Sequence, residues 1–129
     1  MIEHVSIPVR DFEKSKKFYL AALKPLGYEL NMEFPGAAGF MADGHTSFWI
    51  VQKLSAQETH VAFLAKTRKA VNDFHVAALE AGGKNNGKPG LRTDYSPDYY
   101  AAFIHDPDRH NIEAVCYEEA KEPTTLKSL

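Results

Sequence analysis

A single cysteine, Cys116, stands among 129 residues, so no disulfide can form within the chain and a reducing compartment fits it. Long apolar runs are also missing. No stretch approaches the roughly 20 residues that a membrane-crossing helix needs, and no basic stretch followed by an apolar block opens the sequence as in a signal peptide. The expectation is a cytoplasmic protein that uses no membrane. There is no excess of either charge: 15 basic residues face 17 acidic ones, which gives no attraction to nucleic acid or anionic lipid. Phosphate loops, nucleotide fingerprints and nucleophile–base pairs are absent. The remainder, 44% hydrophobic and 25% charged, suits one compact domain, expected over residues 1–117 with a polar tail over 118–129.

Residues 3–28 and 59–84 are one segment written twice at a constant offset of 56. His4 falls on His60, Val5 on Val61, Phe18 on Phe74, Ala22 on Ala78, Leu23 on Leu79 and Gly27 on Gly83, with Arg10 opposite Lys66. Such a period means one supersecondary unit used twice around a shared core. Its repeated polar residue is a histidine on a strand, so duplication gives two metal-competent side chains at equivalent places.

Each copy reads β-α-β-β-β, module one over 2–53 and module two over 58–117. Alternation over Glu3–Val9 and Thr59–Ala65 predicts half-buried strands with His4 and His60 on the polar face. Asp11 and Thr67 are placed to cap the two helices, which Pro25 with Gly27 and Gly82 with Gly83 end. Strands are expected at Tyr28–Phe34, Gly39–Ala42, Thr46–Gln52, Tyr99–His105 and Asn111–Tyr117. Asp43-Gly44 makes a hairpin turn, and Asp106-Pro107-Asp108-Arg109 reads as a type I turn. The Gly-, Pro- and Asn-rich stretch Lys84–Pro97 reads as a poorly ordered strand or a long loop. The fold class is α+β, with the modules forming a curved, mostly antiparallel eight-stranded cup.

Glu113 lies inside the apolar run Asn-Ile-Glu-Ala-Val, where a carboxylate is costly unless paired or bound to a cation. Two strand histidines and one strand carboxylate suit Zn²⁺, Ni²⁺, Mn²⁺ or Fe²⁺. The alternative is a hydrogen-bonded polar cluster that holds no metal.

The strand openings His4-Val5-Ser6-Ile7-Pro8-Val9 and His60-Val61-Ala62-Phe63 resemble those of the vicinal oxygen chelate superfamily. The helix pair Phe18-Tyr19 and the terminal Asp106-Pro107-Asp108 and Asn111-Ile112-Glu113 do so too. That superfamily holds glyoxalase I, the bleomycin and fosfomycin resistance proteins and the extradiol dioxygenases. The resemblance implies a cup around a divalent metal, with His4, His60 and Glu113 as ligands and Glu113 also as a catalytic group. It further implies a homodimer, side by side or with exchanged modules. Glyoxalase-I-like members add a fourth ligand, usually Glu, on the last strand of module one. Setting Phe48-Trp49-Ile50-Val51 against Asn111-Ile112-Glu113-Ala114 puts Ile50 there and turns Phe48 into the cup. A second carboxylate is then missing, which disfavours glyoxalase I isomerisation. The remaining set matches extradiol dioxygenases.

The expected function is a small metal-dependent enzyme whose ion acts as a Lewis acid on an oxygenated substrate. An Fe²⁺ dioxygenase and a metal-free binding or resistance protein are the alternatives. Phe48, Ile50, Arg92, Tyr95 and Tyr100 are the candidate pocket residues. His75 reads as structural, and His105 and His110 flank a turn.

Overall fold

The structure, a computed structural model, describes residues 1–55 and 57–117; the expected tail over 118–129 lies outside the described residues. Module one runs β1 (Val5–Val9), α1 (Phe12–Ala22), β2 (Glu29–Phe34), β3 (Ala37–Ala42) and β4 (His45–Gln52). Module two runs β5 (His60–Leu64), α2 (Arg68–Glu80), β6 (Lys84–Leu91), β7 (Tyr100–His105) and β8 (Asn111–Cys116). Each module forms its own four-stranded mixed sheet, ordered β1-β4-β3-β2 and β5-β8-β7-β6. β1 with β4 and β5 with β8 are parallel pairs, while the other pairs are antiparallel. Among the described residues no helix is long and apolar enough to cross a membrane.

Local chemistry sets the element ends. The Asp11 carboxylate accepts from the Lys14 amide at 3.2 Å and the Thr67 hydroxyl from the Ala70 amide at 3.0 Å, each satisfying a donor the helix start leaves orphaned. A short 3₁₀ turn over Lys24–Leu26 follows α1 and closes on Gly27 at φ 89°. Asp43 and Gly44 have φ of 53° and 77°, the two left-handed positions of a tight hairpin turn. The stretch from Lys84 divides. Its first eight residues are β6, paired with β7 through register shifts around Gly87, and the connection to β7 begins at Arg92.

One core lies between the helices and the sheets and crosses the module boundary. Tyr19 packs on Phe48 at 5.0 Å between ring centroids, Phe48 on Phe63 at 5.0 Å and Phe63 on Tyr28 at 5.3 Å. An approximate twofold relates the modules. Arg10, just past β1, pairs with Asp108 in the β7–β8 turn at 3.4 Å, and its counterpart Lys66, just past β5, pairs with Asp43 in the β3–β4 turn at 3.6 Å. The end of β1 thus reaches the start of module two's last strand, and the end of β5 reaches the start of module one's. β1 and β5 run past each other in opposite senses, so His4 and His60, each at a strand start, lie at opposite ends of this junction.

Pairing fixes which residues correspond. Ser6 pairs with Trp49 in β1–β4, and Ala62 with Glu113 in β5–β8. Gly39 faces Trp49 as Phe103 faces Glu113. These equivalences lie 64 residues apart rather than 56, so module two carries eight extra residues. They fall across the β6–β7 hairpin, whose connection has eight residues where β2 and β3 are joined by two.

Candidate functional site

Glu113 is central to β8, and alternation along the strand sends Ile112 and Ala114 into the helix-side core while Glu113 takes the opposite, open face of the sheet. It is nevertheless only 2% exposed. Both of its oxygens are engaged. His60, from neighbouring β5, places Nε2 2.8 Å from Oε1, and the Tyr99 phenol donates a short hydrogen bond to Oε2. Burial first, then this bond to Glu113, pushes the Tyr99 phenol well above its ordinary value of 10.0, so it is a donor at neutral pH. The His60 ring is 52% exposed, so one side of the pair stays open to solvent.

His4 does not join this group. Its Nδ1 lies 2.5 Å from the Glu3 carboxylate, whose other oxygen meets His45 Nε2 at 3.0 Å. The bond from His4, followed by the nearby charge of His45, holds Glu3 below its ordinary value of 4.5. Within one chain, the expected three-ligand set is therefore two donors with the third at the far end of β1. As a donor set, His60 Nε2 and Glu113 Oε1 fit a divalent cation: a nitrogen and an oxygen side by side, with an open flank.

Of the expected pocket residues, Ile50 and Tyr100 are elsewhere. Ile50 is fully buried in the core on the helix side. Tyr100 also turns to that side, its hydroxyl donating to Asn72 at 2.7 Å and its ring lying 4.9 Å from the Arg68 guanidinium. Phe48 is 1% exposed and belongs to the aromatic core, though its ring forms part of the floor of a cleft of about 420 Å³ that His60 borders. The β4 side chain on the open face is Trp49, stacked on Phe34 at 6.2 Å and 14°. Tyr95, 65% exposed, packs edge-on against Tyr99 at 4.9 Å. Arg92 is committed to the backbone, donating to the carbonyls of Gly90 at 2.9 Å and Lys88 at 2.7 Å above the Phe103 ring. Tyr99, which shares an aromatic and cationic stretch of the sequence with Arg92, Tyr95 and Tyr100, is the phenol of that stretch that reaches Glu113.

Another cluster gathers metal-type donors. Among the described residues, ligand atoms of Asp106, Asp108 and His110 lie within 4.8 Å of one another, all buried. Every one of those atoms is already employed. Asp106 Oδ1 accepts from the amides of Asp108 and His110 at 2.9 and 2.8 Å, and Oδ2 from Tyr19 at 2.5 Å. Asp108 accepts from the Arg10 amide at 3.1 Å and from the Ser15 hydroxyl at 3.3 Å. His110 Nδ1 accepts from the Thr59 amide at 3.0 Å, so its proton sits on Nε2, which donates to the Pro8 carbonyl at 2.7 Å. An ion here would have to break these bonds. The cluster is a structural knot tying the β7–β8 turn to β1 and α1.

A family model described as bleomycin resistance protein-like N-terminal matches residues 2–42. A glyoxalase/bleomycin resistance protein from Albidiferax ferrireducens T118 is similar at 29% identity and TM-score 0.81, over 90% of this chain and 98% of that one. Together these matches support the vicinal oxygen chelate superfamily. Two further structures share the superfamily fold at lower identity. They are a glyoxalase/bleomycin resistance protein/dioxygenase family enzyme from Burkholderia phytofirmans PsJN (18% identity, TM-score 0.71, 90% and 98% coverage) and a lactoylglutathione lyase from Agrobacterium tumefaciens (15%, 0.68, 90% and 92%). No curated protein matches the sequence. The superfamily position for a fourth ligand, opposite Glu113, is held here by Trp49 and not by Ile50. Like Ile50, an indole offers no ligand to a divalent ion.

Proposed function

We propose that this chain is a metal-dependent member of the superfamily that binds a small oxygenated molecule on the open face of module two. The observation that carries the reading is the pair His60 Nε2 and Glu113 Oε1, 2.8 Å apart on adjacent strands and backed by a buried carboxylate. Imidazole beside carboxylate suits Zn²⁺, Ni²⁺, Mn²⁺ or Fe²⁺. When bound, such an ion would polarise a substrate oxygen as a Lewis acid. His60 and Glu113 would hold it, and Glu113 is also the group placed to accept a proton from substrate. His4, distant within its own chain, would serve as third ligand to the site of a second copy, which makes a module-exchanged homodimer part of the proposal. Tyr95, exposed at the rim, is available to a ligand.

Isomerisation of the glyoxalase I type calls for a second carboxylate, and Trp49 occupies its place. Activity on a glutathione hemithioacetal should be weak, and Fe²⁺-dependent oxygen uptake with a catechol is the dioxygenase alternative to test beside it. One observation favours a metal-free binding protein: His60 and Tyr99 already satisfy both Glu113 oxygens. Elemental analysis of protein purified without chelators, followed by Zn²⁺ titration, separates the two. Metal dependence expects about one ion per chain in wild type and a sharp loss in His60→Ala. Equal binding by wild type and a His4→Ala/His60→Ala double variant, or ligand affinity that survives EDTA, would overturn it.

A further inference from the structure

Module two differs from module one in two linked ways. Where module one has Trp49, module two has Glu113. Where module one joins β2 to β3 by a tight turn, module two has the longer connection that begins at Arg92 and ends on Tyr99, placing a phenol on Glu113 Oε2. Carboxylate and phenol thus occur together in one module and are both missing from the other. Tyr99 is also held in place independently of the carboxylate. Its ring packs edge-on against Tyr95 at 4.9 Å and Tyr117 at 5.3 Å, and its carbonyl accepts from the Arg92 amide at 2.7 Å.

We propose that Tyr99 is the positioning residue of this site, holding Glu113 Oε2 so that Oε1 alone is presented beside His60 Nε2. This rests on the metal reading above. A carboxylate with two unengaged oxygens can grip an ion with both, which suits large cations that collect oxygen ligands. A carboxylate with one oxygen engaged by a hydroxyl donor binds through the other, which suits small ions in tetrahedral sites with nitrogen ligands. Outer partners of this kind set ligand orientation and commonly govern affinity by about 10- to 100-fold. The effect of Tyr99 is therefore on which ion is held and how, beyond whether one is held.

The test is a titration of wild type, Tyr99→Phe and His60→Ala with Zn²⁺, Mn²⁺ and Co²⁺, with folding checked by circular dichroism. In Tyr99→Phe, Zn²⁺ affinity should fall about 10- to 100-fold while Mn²⁺ affinity falls less, and the visible Co²⁺ spectrum should weaken as coordination number rises. A merely structural role would lower both affinities together and leave the Co²⁺ spectrum alone. That result, or an unchanged variant, overturns the proposal while His60→Ala still supports the metal site. If wild type binds no ion, both readings fall together. Should Tyr99→Phe fail to fold, ultraviolet difference spectra of wild type during Zn²⁺ titration decide. A phenol that stays a donor gives no tyrosinate band, and a tyrosinate band would show Tyr99 to be a ligand, against the proposal.

Discussion

Tyr19 and Asp106 are both buried, and the Tyr19 hydroxyl reaches Asp106 Oδ2 at 2.5 Å. Desolvation pushes the Asp106 carboxyl above its ordinary 3.8, against the lowering effect of the Tyr19 bond, the His110 ring and two backbone amides. An acid that holds its proton harder when folded stabilises the fold below its unfolded value and loses that contribution as pH rises through its folded value. Wild-type stability, taken relative to Asp106→Asn, should fall as pH climbs from about 3.8 to the raised folded value; denaturant titration across that range checks it, and parallel curves would refute it. The variant should bind Zn²⁺ as wild type does if the proposed site at His60 and Glu113 holds the ion, because every donor of the knot is already hydrogen-bonded. Position matters as sharply at Ile50 and Trp49. Ile50→Glu would bury an unpaired carboxylate in the aromatic core and should unfold the chain or cost several kcal/mol. Trp49→Glu would instead place a carboxylate on the open face opposite Glu113 by the module twofold. It should leave a folded protein, and thermal denaturation of the pair tests the contrast. Sequence pattern could not separate these two residues. A slip of one residue moves a strand's side chains to the other face, and Phe48-Trp49-Ile50 is apolar throughout, so no alternation marks the register. Tyr99 and Tyr100 are indistinguishable for the same reason.

Helices and caps are the elements most legible in the residues. Asp11 and Thr67 cap as expected, and Val71, Phe74, His75 and Ala78 line one buried stripe of α2. His75 is structural, its Nε2 lying 2.9 Å from Asn85 Oδ1. β6 is legible only as one of two alternatives, a poorly ordered strand or a long loop, because Gly, Pro and Asn are depleted in strands. Its order draws on the side chain just past its end. Arg92 reaches back to the Lys88 and Gly90 carbonyls within β6 and covers Phe103, and a Cβ at Gly87 would come within 3.2 Å of the same guanidinium. Arg92→Ala should therefore loosen one element. The expected loss is about 1–2 kcal/mol, for charge-assisted bonds at a partly exposed site. Amide exchange should quicken over β6 and its connection to β7 and stay unchanged in module one. Uniform acceleration across both sheets would show that Arg92 supports the whole fold instead. Eight extra residues give this module its phenol, and a constant repeat offset, read no further than residue 84, does not reveal them.

At the scale of the molecule, duplication has produced one shared core and two unequal open faces. Module two bears His60, Glu113 and Tyr99; module one bears Trp49 and Phe34, with His4 at the far end of the junction. Gly39 lets the indole lie flat on β3, since a Cβ there would meet Trp49 at 2.9 Å and Thr46 at 2.8 Å. Open faces with unpaired outer strands are the kind of surface that a second copy covers. If His4 of one copy completes the site of the other, His4→Ala and His60→Ala homodimers each lose every complete site. When the two are unfolded together and refolded, half of the dimers are mixed. Each mixed dimer has one site carrying both substitutions and one carrying neither. Zn²⁺ binding should then return to roughly a quarter of the wild-type capacity, the statistical value for a twofold assembly. A side-by-side dimer, or a monomer, gives no recovery at any mixing ratio, since no site there draws His4 and His60 from different chains. Sedimentation at tens of micromolar supplies the companion measurement: a species of 14.4 kDa alone would remove the dimer. A dimer without recovery would leave His4 out of the metal site altogether.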